Sequence, residues 1–214
     1  RKTGQDTSAG THHASNYTLV EFDVSWENSW RVSNGPSNWD AAWVFVKYRV
    51  GVSDPVLTGV SSSGTTVTVS STVNLRAGMP VVVTSGTGSF AANTVIQSIT
   101  NETQFVVSAA PTTPLSNATV TCRRIWEHAS LDATSGNHTA PAGSTIEVPS
   151  DSTGAFIYRS SNGVGTFNLT DVQLRWNYGA QGVYDDAVTE VQVYAIEMVY
   201  VPQGSFAAGS GGTE

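Results

Sequence analysis

Four histidines, seventeen carboxylate side chains and one cysteine are the groups with which this chain could do acid–base, metal or nucleophilic chemistry. Their spacing forms no catalytic set. His12 and His13 sit together in a polar stretch, and His128 and His138 are ten residues apart with no cysteine or H-E-x-x-H pattern around them, so zinc is not expected. No G-x-S-x-G elbow, phosphate-binding loop or dinucleotide fingerprint occurs, and GTGSF (86–90) reads as a Gly-rich hairpin. A glycosidase needs two carboxylates facing one cleft, and spacing alone singles out no such pair. The densest acidic group is Asp185 and Asp186 in YDDAVTE (184–190), with Glu190 beyond. It offers oxygen ligands to calcium but lacks the alternating Asp-x-Asp-x-Asp-Gly spacing of a calcium loop, and a solvated turn is the competing reading. The expectation is no catalytic residue, no cofactor and no metal, with Asp185 and Asp186 the residual calcium candidates.

Aromatic and amide side chains give the stronger binding signal. Between Trp26 and Trp43 lie Trp30 and Trp39, interleaved with Asn28, Asn34, Asn38 and Asp40. Flat aromatic faces suit sugar rings or a protein partner, and the amides and carboxylate suit hydroxyl groups. Trp26 and Trp43 have apolar strand neighbours and read as core, whereas Trp30 and Trp39, in or beside the polar loop SNGPSN (33–38), are open to either reading. The candidate binding set is Trp30, Asn34, Asn38, Trp39 and Asp40.

The elements that would position these residues are strands. Only 13% of the 214 residues are charged, while Gly, Ser, Thr and Val abound, and nowhere do apolar residues recur at helical spacing. In YTLVEFDVSW (17–26), Val20, Phe22, Val24 and Trp26 alternate with Glu21, Asp23 and Ser25, the period of a half-buried strand. WVFVKYRV (43–50), AFIYRS (155–160), VQLRWNY (172–178) and VTEVQVYAIEMVYV (188–201) read the same way, separated by Gly, Asn and Pro turns. All six Trp and all seven Tyr lie outside 53–122, where short Val/Thr/Ile runs alternate with turn residues. This composition shift predicts an all-β protein: an antiparallel β-sandwich, jelly-roll-like or Ig-like, formed by 1–52 and 123–214, with a second small β-sandwich or barrel inserted at 53–122. Residues 1–16 and 205–214 are polar and Gly/Ser-rich and are expected to be flexible tails unless a partner orders them.

The net charge of −7, without a Lys/Arg cluster, argues against nucleic-acid and anionic-membrane partners, and no apolar run reaches the ~20 residues of a membrane span. The chain opens on Arg1, the pattern of a trimmed or processed N-terminus. Cys122 excludes an internal disulfide and ends a Val/Thr alternation, so it reads as a small buried strand residue. Five Asn-x-Ser/Thr acceptors, at Asn16, Asn101, Asn117, Asn137 and Asn168, match what so Asn/Ser/Thr-rich a chain produces by chance.

Several segments carry a resemblance. FDVSWENSWR (22–31), NWDAAWVFVKYR (38–49), WEHASL (126–131), GAFIYRS (154–160), VQLRWNYG (172–179) and VYAIEMVYVPQGSF (193–206) resemble an uncharacterised domain of bacterial surface and environmental proteins. In those proteins it precedes a formylglycine-generating-enzyme-like domain, a C-type-lectin-related fold, and EMVYVPQGSFAAGSGG (197–212) is similar to that fold's opening strand. No catalytic or calcium-binding residue of the second domain falls within the matching segments. VTVSSTVNLRAGM (67–79), VIQSIT (95–100) and TQFVVSAA (103–110) resemble the Ig-like repeats of phage structural and bacterial surface proteins.

Both resemblances imply an exterior surface. The expected function is that of a non-enzymatic structural subunit of an extracellular, cell-surface or virion assembly: a filament, a surface layer or a phage appendage, with copies of itself as partners. The alternatives are a glycan- or receptor-binding adhesion module and an accessory domain of a formylglycine-generating-enzyme-like protein.

Overall fold

The computed structural model describes residues 2–6, 10, 12–35 and 37–199. The fold is all-β and antiparallel, with no α-helix among the described residues. In chain order the strands are β1 (Lys2–Asp6), β2 (Tyr17–Val32), β3 (Asn38–Val50), β4 (Val56–Ser63), β5 (Thr66–Thr68), β6 (Val81–Ser89), β7 (Ile96–Asn101), β8 (Gln104–Val107), β9 (Thr113–Cys122), β10 (Glu127–His128), β11 (Ser144–Glu147), β12 (Ala155–Arg159), β13 (Gly163–Trp176) and β14 (Thr189–Val199). The chain divides into two compact units, with boundaries at Val46/Lys47, His128/Ala129, Gly182/Val183 and Gln192/Val193. These lie several residues outside the expected 53–122 limits, and the second unit also takes in 183–192.

In the first unit β2 pairs with β13 along most of its length, and its end turns into β3 through the pairs Arg31↔Trp39 and Val32↔Asn38. β3 continues beside β12, and β12 beside β11. The β2–β13 ladder is interrupted twice, between Gly165 and Phe167 and between Leu169 and Val172. At the first step β2 carries the extra residue, at the second β13 does. A non-glycine residue in left-handed conformation lies in each step, Asn28 at φ 57 and Asp171 at φ 56, and the Asp171 amide is capped by Asp23 Oδ1 at 2.9 Å. Such bulges shift the inward-facing phase by one residue. The alternation expected over 17–26 therefore ends at Trp26, and beyond Asn28 it is Ser29 that is buried.

One expectation differs at the N-terminus. Lys2–Asp6, read as part of a flexible tail, pairs antiparallel with Tyr17–Val20 of the same chain, because the start of β2 offers a free ladder edge opposite β13. Asn16 is buried, its Nδ2 donating to Gly10 O at 2.8 Å. Residues 205–214 lie outside the described residues.

In the second unit the strand order is β6-β9-β4-β5-β8-β7. β4 pairs with β9 through Val56–Val60 and with β5 through Ser61–Ser63, so one bent strand serves two ladders. The strands enclose an apolar core including Val60, Val67, Met79, Ile96, Val107, Val120 and Phe105. Cys122 belongs to it, and burial, then the charge of Asp54, push its thiol up to about 12, outside the reactive range. Gly86 permits the irregular β6–β9 ladder: at φ 83, a Cβ there would stand 2.6 Å from Asn117 O.

Arg76 ties this core to residues outside 53–122. Its Nε and Nη2 donate to the two carboxylate oxygens of Glu127 at 3.0 and 3.2 Å, and Nη2 also donates to Tyr48 Oη at 2.9 Å. Tyr48 is fully buried, and burial, partly opposed by the charge of Arg76, raises its phenol. Truncating one member of so enclosed an ion pair strands the others. Arg76→Ala is therefore expected to lower the unfolding free energy by about 3 kcal/mol in denaturant titration. Arg76→Lys should recover only part of it, since an ammonium cannot make the two-pronged contact.

Candidate functional site

The residues singled out between Trp26 and Trp43 fall into two groups that the β2–β3 hairpin keeps apart. Asp40 is fully buried. Its Oδ1 accepts the Ser29 hydroxyl at 3.0 Å and the Trp30 amide at 3.1 Å, and its Oδ2 accepts the Trp26 indole N–H. Arg159 Nε donates in turn to Ser29 Oγ at 3.0 Å, placing a guanidinium one hydroxyl away from the carboxyl group. Asp40 is thus a structural clasp, and its expected role as a ligand contact is corrected: buried carboxyl groups persist only when their lone pairs are taken up, and here internal donors fill them. Trp26 is half-buried, set edge-on to Phe167 at 5.2 Å. Trp30 is half-buried too, its indole donating to Asn38 Oδ1 at 2.6 Å, so Asn38 serves the hairpin. Asn34 is exposed in the connecting turn.

Trp39 points to the other face. It is paired with Arg31, whose guanidinium lies 5.0 Å from the Trp39 ring centre and 5.2 Å from that of Tyr158, while Arg31 Nη1 donates to Arg159 O at 2.8 Å. Alternation along β3 then buries Ala42, Val44 and Val46 on the inner side and places Trp43 and Phe45 on the outer side with Trp39. β12 buries Ala155 and Ile157 and turns Phe156 and Tyr158 outward. Trp43 meets Phe156 at 4.7 Å, and Phe45 stacks on Tyr194 of β14 at 5.2 Å with 12° between the planes. Trp43, expected in the core, is half-buried here. Its indole lies flat over Gly154, where a Cβ would come within 2.5 Å of the ring.

The outer face contains a groove of about 340 Å³, a size at the lower end for small-ligand sites. Ala41 is the smallest residue lining it. Trp39, Phe156, Tyr158, Met198 and Val199 line it, and Glu147 supplies a carboxylate that accepts the Tyr158 hydroxyl at 3.0 Å. Burial, followed by this bond and the charge of Glu147, raises the Tyr158 phenol above its ordinary value. The groove therefore offers aromatic walls, one anionic acceptor and a guanidinium stacked behind two of the rings. That combination can hold apolar or sugar-like surfaces. Of the sequence-selected set, the structure brings only Trp39 to it. Phe156 and Tyr158 were readable from AFIYRS, where both parities are apolar, but Glu147, Met198 and Val199 carry no such signal.

Asp185 and Asp186 occupy a turn closed by the Ala187 amide on Tyr184 O at 3.1 Å. Glu190 is held by Arg49 and Arg124, each at 2.7 Å. Among the described residues no three His, Cys, Asp or Glu side chains converge as a metal site. No protein-family profile matches the chain, and neither a curated protein nor a solved structure shows significant similarity to it.

Two substitutions separate the groups. Asp40→Ala leaves three donors without an acceptor and should cost about 3 kcal/mol in chemical denaturation. Ala41→Leu adds bulk at a residue lining the groove and should change the unfolding free energy by no more than the ~1–3 kcal/mol of mild overpacking, less than Asp40→Ala if the added methyl groups enter the groove.

Proposed function

We propose that this chain is a non-enzymatic structural subunit of an extracellular or virion-surface assembly, and that it meets neighbouring subunits through the outer face of β3, β12 and β14. One observation carries this reading: β14 follows an aromatic sheet face with a row of exposed apolar side chains, Ile196 at 52%, Met198 at 44% and Val199 at 50% exposure. Among the described residues β3 is the one strand with which β14 pairs. Natural proteins blunt long apolar edge strands with charge, proline or a covering element, and an edge left apolar is suited to joining another chain. Contiguous exposed apolar faces mark interaction surfaces for the same reason. No helix among the described residues is long and apolar enough to cross a membrane.

A second reading, a glycan-binding adhesion module, is favoured by the groove itself, where Trp39, Phe156 and Tyr158 stand beside the Glu147 carboxylate. The two readings part in one comparison. Ile196→Lys with Met198→Lys is expected to abolish self-association in analytical ultracentrifugation and electron microscopy while leaving the circular dichroism spectrum intact. Ala41→Leu is expected to leave assembly unchanged. Wild-type protein that stays monomeric at high concentration, and binds a glycan array in a manner Ala41→Leu removes, would replace the structural reading with the adhesive one.

A further inference from the structure

Away from the aromatic face, residues 132–139 lie against the end of β13 in the first unit. Two isolated antiparallel bridges frame them, Leu131↔Trp176 and Thr139↔Gln173. Between these bridges the chain bows away through a 3-10 turn, Ser135–Asn137, and His138 fills the bow, only 8% exposed. Both ring nitrogens are engaged. Nδ1 lies 3.0 Å from the Arg175 amide nitrogen, and Nε2 lies 2.8 Å from Asp132 O. An amide can only donate and a carbonyl can only accept, so Nδ1 must present its lone pair and Nε2 its hydrogen. The closed geometry therefore requires the neutral imidazole. A proton on Nδ1 would set N–H against N–H and break the Arg175 contact.

The groups facing this ring are few. The segment itself contributes Asp132, whose carboxylate accepts from the Thr134 amide and Asn137 Nδ2 at 2.9 Å each, and from Asn177 Nδ2 at 3.1 Å, with Arg175 Nε at 3.3 Å. β13 contributes Arg175. Around β13, two groups of β2 touch its residues rather than the ring: Tyr17, whose ring centre is 3.7 Å from the Arg175 guanidinium, and Glu21, which accepts from Gln173 Nε2 at 2.9 Å.

We propose that His138 is an acid-sensitive latch, holding residues 132–139 on β13 while its ring is neutral and releasing them when the ring takes up a proton. Burial lowers the ring's proton affinity, the Asp132 carbonyl bond and carboxylate pull it back up, and the Arg175 charge lowers it again, leaving it below the usual histidine value. A group depressed in the closed state binds its proton preferentially in the open state. The latch is therefore at full strength above the unperturbed value of ~6.5 and weakens as pH falls from there toward the closed-state value, the opening equilibrium growing up to about tenfold per pH unit for one proton. Asp132 does not contribute in this window. Burial raises its carboxyl, but the bonds from Asn137, Thr134 and Asn177 and the Arg175 charge outweigh that and hold it at about 2, so its contribution is lost only below ~3.9.

The test is amide hydrogen exchange of the full chain between pH 7 and 5, corrected for intrinsic rates, together with ring nitrogen NMR of His138. The Arg175 and Thr139 amides should lose protection by up to about tenfold per pH unit while amides in β3 and β12 hold theirs, with His138 the neutral Nε2–H tautomer at pH 7 and taking up its proton only below ~6.5. His138→Gln, which cannot titrate, should show a flat profile. Constant Arg175 protection across this range, or an acid-dependent loss that persists in His138→Gln, would overturn the proposal. If the variant does not fold, the wild-type exchange and ring titration decide the matter alone.

Discussion

The arrangement of the first unit depends on the buried carboxyl group of Asp40. A carboxyl group removed from water is tolerated only when donors are fixed around it, and those available are on β2: the Trp26 indole and the Ser29 hydroxyl, whose three-residue spacing a plain alternating strand would send to opposite faces, and the Trp30 amide. The left-handed residue Asn28 solves this by bulging β2, which turns the Ser29 hydroxyl inward and brings the Trp26 indole and the Trp30 amide to the same carboxyl. Once Asp40 is fixed as an inward residue, strand alternation leaves no choice for its neighbours. Trp39, Trp43 and Phe45 must point outward. The aromatic surface is thus a consequence of where one polar group had to be satisfied.

That surface is costly unless it is covered. Val44, Val46, Ala155 and Ile157 already supply the inner layer of the sheet, so Trp43, Phe45, Phe156 and Tyr194 add apolar area on the side where a solvated sandwich ordinarily places polar residues. They partly shield one another by stacking, and Arg31 shields Trp39 and Tyr158 by lying across them. Ala41 is the exception, and its small side chain leaves the groove open. The outer aromatic face and the exposed Ile196, Met198 and Val199 of β14 are the features on which the proposed contact role rests.

What could be read from the residues follows the reach of local physics. The strand period of 17–26, the antiparallel all-β class and the burial of Cys122 depend on neighbours in sequence, and they are visible there. The site was legible only in part. Asp40 and Asn38 are residue types that bind hydroxyls as readily as they close a hairpin, and only the bulge at Asn28, which no residue pattern announces, decides between the two. Trp30 and Trp39 read as one cluster because they are close in sequence, yet the pairing Arg31↔Trp39 sends them to opposite faces. Glu147 and Met198 join Trp39 through pairings more than a hundred residues away, which lie beyond any local signal.

The contrast in composition between the segments has a packing cause as well. In the second unit, the strands β4 to β9 close on a core of Val, Ile, Leu and Met in which Phe105 is the single fully buried aromatic of the stretch 53–122. Small β-branched side chains fit a pleated, enclosed surface of this kind. The first unit buries long residues such as Trp176 and Leu174 where β13 runs beside β2, and it places flat rings on the outer face of β3 and β12. Trp and Tyr therefore concentrate in the part of the chain that offers a surface, and are spared where the core closes on itself.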